Sequence, residues 1–193
     1  MKTMRLQVGQ LLTVTAPPIS GGTFWQLCDT NNPNAGSPTL AAFGPSGSGA
    51  VKQMKMGIGD SLYATGHIDH DYKVNSIVYP HVHWSTGGTS TASVKWQFTC
   101  VSAIGHNQGN FTEDVVITVE EAAQGTAWRH MITEDSVGIA GGTFEVDALW
   151  ITEIKRITNG GTNNTDDVFI HFADLHYEVQ QYATPNRTPN FYE

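Results

Sequence analysis

At 193 residues the chain has room for one domain and an arm, and two full domains are excluded. Hydrophobic residues make up 39%, enough for a core, while charged residues make up 15% against the roughly 25% of an average soluble domain, so the chain is neither disordered nor highly charged. Ten Lys and Arg against eighteen Asp and Glu give a net charge of −8, which repels phosphate and argues against nucleic acid as a partner.

In chain order, residues 4–15 (MRLQVGQLLTVT) read as a strand, with Leu6, Val8 and Leu12 apolar. The first ten residues have no continuous apolar stretch of signal-peptide length, and no apolar run reaches the ~18–20 residues of a membrane span. A soluble product of the cytoplasm, with no membrane partner, is therefore expected. Residues 16–60 contain APPISGG, NNPNAGSP and FGPSGSGA, and this Pro, Gly, Ser and Asn content resists both helix and ladder. With residues 1–15 they read as an N-terminal strand and extended arm, 1–60. Ordering such a stretch costs about 1–2 kcal/mol per residue in backbone entropy. The reading therefore puts the arm's anchors outside its own domain, with Phe24, Trp25 and Phe43 as apolar plugs; a loop folded back on its own body is the alternative.

Regular alternation begins near Asp60 and defines a body at 61–179. In SVKWQFTCV (93–101), Val94, Trp96, Phe98 and Cys100 share one face and Lys95, Gln97 and Thr99 the other, the period of two of a sheet packed on a core. Shorter strands are predicted at 61–68, 76–84, 114–120 and 128–133. The run 143–157 places Phe144, Val146, Ala148, Trp150 and Ile154 on one face, but fully extended it would span about 50 Å, so a bend or bulge should divide it. The last strand, 167–179, begins apolar on both faces and then alternates, after the turn signal NGGTNN at 159–164. No segment has helical periodicity. About eight strands with short loops predict an all-β, jelly-roll-like β-sandwich, closed by an extended tail, 180–193, in which Phe191 and Tyr192 are further plugs for a neighbour's pockets. Cys28 and Cys100 are too few for a disulfide scaffold and read as packed thiols.

The chemistry-bearing residues are mainly histidines. His81 and His83 lie two apart in a strand and share a face with Tyr79, while Val78, Val82 and Trp84 face the other way. Two imidazoles so placed can grip one metal ion; equally, they fit the polar outer face of a strand. The Glu that follows His-x-His in cupins is missing, since Trp84, Ser85, Thr86 and Gly87 stand there. His67, Asp69, His70 and Asp71 read as a solvated loop in which only His67 and Asp69 are natural neighbours. No nucleophile elbow, phosphate loop or CxxC occurs, so no enzymatic activity is expected.

From residue 76 onward the order of pieces resembles a family of tailed-bacteriophage virion structural proteins. The matching pieces are YPHVHW (79–84), VKWQFTCV (94–101), HNQGNF (106–111), TVEEAAQGTAWRHMIT (118–133), EIKRI (153–157), TNNTDD (162–167) and VFIHFADLHYEV (168–179). Pro80, His81, His83 and Trp84 match the family's Pro-His-x-His-Trp unit, and His176 with Tyr177 matches its closing strand; GHIDHDYKVNS at 66–76 departs from it. The resemblance implies a non-enzymatic virion component without a cofactor, and by analogy a homotrimer bound to the major capsid protein or another virion protein. Capsid decoration is the first expectation. A tail, collar or fibre component, or a receptor- or carbohydrate-binding knob, is the alternative. In such a trimer a threefold axis beside His81 and His83 would gather six imidazoles into an octahedral site for an axial transition metal.

Overall fold

The structure is a computed structural model that describes residues 36–180. The strand expected at 4–15, the plugs Phe24, Trp25, Phe191 and Tyr192, and Cys28 lie outside the described residues. Ten strands follow one another: β1 (Thr39–Ala42), β2 (Lys52–Lys55), β3 (Ser61–His67), β4 (Asn75–Thr86), β5 (Ser93–Ala103), β6 (Val115–Ala122), β7 (Met131–Glu134), β8 (Ile139–Gly141), β9 (Leu149–Ile157) and β10 (Val168–Tyr177). One antiparallel sheet has the order β1-β2-β10-β4-β7, with β8 on the start of β4; the other has the order β3-β9-β5-β6. Without β1 and β8, the two sheets read β2-β10-β4-β7 and β3-β9-β5-β6, and the chain changes sheet at every step except β5 to β6. The fold is an all-β sandwich, and this is the pairing order of a jelly roll.

The core lies where the two alternating faces meet. In β5, Val94, Trp96, Phe98 and Cys100 are buried, and in β9, Trp150 and Ile154. From the opposite sheet come Val82 and Trp84 of β4 and Ala173, Leu175 and Tyr177 of β10. Burying each large apolar side chain contributes about 1.5–3 kcal/mol, so the three fully buried tryptophans, Trp84, Trp96 and Trp150, are the main apolar mass holding the sheets together. The run 143–157 is a strand only from Leu149 onward, and its first six residues form a turn and not the first half of a bent strand. β8 stops at Gly141 and β9 starts at Leu149, with Asp147 at φ 61° in the turn between, while Phe144 and Val146 stay buried.

The body begins well before residue 61. β2 pairs with β10 through Lys55↔Phe169 and Met54↔Ile170, and β1 pairs along all of β2, so residues 39–55 extend the first sheet. Thus the described part of the arm folds back on its own chain. Two strands of four residues (TLAA and KQMK), one of them an exposed edge, carry too short a pattern to stand out among Gly and Pro. Phe43, read above as a plug for a neighbour, packs on Trp128, Phe169 and His171 of its own chain, with ring centroids 5.3, 5.2 and 5.0 Å away. That packing also explains the apolar start of β10: Phe169 points away from the core and is covered by Phe43 and Trp128.

Candidate functional site

β4 and β10 run antiparallel, and their register sets what lies on the outer face of the first sheet. Trp84 opposes Ile170, His83 opposes Phe172, and the register shifts between these pairs, leaving His171 as an extra residue. This β-bulge changes the phase of β10. Beyond it Phe172, Asp174 and His176 share the outer face with His83, His81 and Tyr79. On the other side of β4, Glu134 of β7 opposes His81 and Ile132 opposes His83. One cross-strand row thus reads Asp174–His81–Glu134.

The ring of His81 is buried by this row (0% exposed), and His83 is nearly so (8%). Their Nε2 atoms approach to 3.1 Å. Asp174 Oδ1 lies against His81 Nε2 and stands 3.6 Å from His83 Nε2. The second nitrogen of each ring faces outward from this point. His83 Nδ1 is 2.7 Å from His130 Nε2, and His81 Nδ1 is 3.8 Å from Glu134 Oε2, which also contacts His176 Nδ1. Phe172 stacks on His83 with centroids 3.8 Å apart, and His176 lies 3.8 Å from the His81 ring, so packing fixes both imidazoles.

The electrostatics follow from burial and from these neighbours. Burial pushes the Asp174 carboxyl up, but the hydrogen bonds and charges of His81 and His83 outweigh it and hold it at about 2, fully ionised near neutrality. Burial, and then the neighbouring His83, lowers the pKa of His130, whose Nε2 lies 2.7 Å from His83 Nδ1. His171, hydrogen-bonded to Ser85 Oγ at 3.0 Å, is lowered to about 4 by burial first and by His130 and His83 second.

The sequence pair His81 and His83 is therefore joined, but by residues of the same chain. An axial arrangement between copies does not suit His81, whose ring is enclosed by β10 and β7. Asp174, Glu134, His130 and His176 are the members that sequence reasoning missed. A phase count along 167–179 without the bulge puts Asp174 and His176 on a different face from the one they occupy. His67 and Asp69 are neighbours as expected, at 3.5 Å. At that end of the sandwich Asp147 bridges His70 (3.3 Å) and His106 (3.0 Å). Elsewhere, a cleft of about 420 Å³ is lined by Lys55, Met56, Ile58, Arg156, Asn163 and Asp166 among others. The buried Arg156 donates there to the carbonyls of Met56 (2.7 Å) and Asn164 (2.5 Å).

No family model and no curated protein matches this sequence. Among solved structures, the carbohydrate-binding module TmCBM61, solved in complex with β-1,4-galactotriose, aligns at 15% identity over 80% of this chain and 88% of its own, with a TM-score of 0.33. Among the described tryptophans, Trp84, Trp96 and Trp150 are buried, and Trp128 packs against Phe43 and Phe169. No helix among the described residues is long and apolar enough to cross a membrane.

Proposed function

We propose that this chain is a non-enzymatic structural protein of a bacteriophage virion, and within that class a capsid decoration or cement protein that stabilises the head. The observation that carries the reading is the ordered resemblance over residues 76–179. Five of its seven pieces overlap β4, β5, β6 with β7, β9 and β10, and HNQGNF and TNNTDD fall in the loops before β6 and β10. The outer face of the first sheet adds support. Ile77, Ile132 and Phe172 are 42–48% exposed there around the polar row, a mixture suited to a protein contact. The partners of this reading are further copies of the chain, as a homotrimer, and the major capsid protein; the location is the virion, assembled in the host cytoplasm.

An add-back experiment tests it. Purified chain is mixed with particles that lack it, and the temperature at which they release DNA is recorded. A decoration protein binds saturably and raises that temperature. Binding confined to one end of the particle would instead support the tail, collar or fibre reading, and no binding to any particle would remove the virion reading.

A further inference from the structure

We propose that His81, His83 and Asp174 bind one divalent first-row transition-metal ion within a single chain, clamping β4 to β10. Three lone-pair atoms converge on one point: the two Nε2 atoms, 3.1 Å apart, and Asp174 Oδ1, 3.6 Å from the second of them. An ion held at about 2.0–2.2 Å from each ligand sets its ligand atoms about 3.0–3.6 Å apart, depending on geometry. The His83 distances meet that condition. Asp174, now against His81, completes the triangle by a small turn of its carboxylate, which is 16% exposed and so has room on the solvent side.

The outer ring nitrogens strengthen the argument. A metal-binding histidine usually gives its other N–H to a carboxylate, a carbonyl or another acceptor, which fixes the tautomer. His83 Nδ1 has His130 at 2.7 Å, and His81 Nδ1 faces Glu134. With a metal bound and both protons on Nδ1, both Nε2 atoms and Asp174 Oδ1 would offer their lone pairs to the ion. Two imidazoles and a carboxylate without a thiolate favour ions such as Zn²⁺, Co²⁺, Ni²⁺ or Fe²⁺ over Ca²⁺ or Mg²⁺.

The proposal goes beyond the virion role, and its failure would leave that role untouched. Untagged full-length chain is stripped with chelator, dialysed and titrated with Zn²⁺ by calorimetry, with metal content measured in parallel. One Zn²⁺ per chain is expected, with a higher melting temperature that chelation reverses. His83→Gln and Asp174→Asn should each abolish stoichiometric binding, Glu134→Gln should weaken it about 10–100-fold, and His67→Gln should leave it unchanged. Should a variant fail to fold, ¹⁵N histidine spectra of the wild type decide, since Zn²⁺ must shift the Nε2 resonances of His81 and His83 and leave their Nδ1 atoms protonated. Absence of saturable binding, binding retained in both ligand variants, or zinc shifts confined to other histidines would each overturn it.

Discussion

Trp84 shows what single residues contribute to this fold. Its indole N–H donates to Thr133 Oγ1 at 2.7 Å, and Thr133 donates in turn to Glu121 Oε2 at 2.6 Å. The relay links β4, β7 and, across the sandwich, β6. Thr133→Val keeps the shape but strands a buried N–H, so it should lower stability by about 1–3 kcal/mol, measured by urea unfolding; an unchanged midpoint would show that the relay is not formed. Cys100 is held inert in the same way. Burial raises its thiol to about 12 despite hydrogen bonds from Thr152 and Trp150, so in the native protein it should stay unmodified by iodoacetamide at pH 8, read by peptide mass mapping. His171 supplies a pH dependence. Its folded pKa of about 4 lies below the ordinary value of about 6.5, so the unfolded chain binds the extra proton first. The corresponding stability is therefore complete above about pH 6.5 and is lost as pH falls toward 4. His171→Gln should flatten the melting temperature over that window relative to wild type, and an unaltered slope would contradict the assignment.

At the scale of strands, alternation was the legible signal. The inward faces of β5 and β9 and the buried face of β4 follow from a period of two, because a half-buried strand imposes that period on its sequence, and the break in 143–157 follows from its length. Two things were not legible, each for a physical reason. β1 and β2 are too short for periodicity to rise above their Gly- and Pro-rich surroundings, and their place comes from pairing with β10, more than 110 positions away. The candidate site needed both the bulge at His171 and the register across three strands, neither of which has a local sequence mark; only its His81 and His83 half was visible. The bulge itself can be tested. Deleting His171 forces one part of β10 out of phase, exchanging core and surface residues, so cooperative thermal unfolding should disappear, whereas a retained transition would deny the bulge its role. The hairpin gives a second check by amide exchange. Met54 and Lys55, paired with β1 on one side and β10 on the other, should exchange more slowly than the 104–113 loop, and equal rates would mean that the hairpin does not dock.

For the whole molecule, the question is what covers the free edges and the apolar outer face. β1, β3 and β6 each pair on one side only among the described residues, and Leu40 and Val116 stand 61% and 57% exposed on two of them. Edges of this kind are commonly masked by association, and the proposed homotrimer is one way to do so; sedimentation of the full chain at micromolar concentration should give a trimer, and a monomer there and after release from particles would oppose it. The central claim, that the body serves a virion as a capsid component, is reached most directly by counting. Quantitative mass spectrometry of density-purified particles, with the major capsid protein as internal standard, should find this chain in a fixed ratio to that protein and comparable with it in abundance. A chain absent from the purified particles, though present in the lysate, would contradict the account.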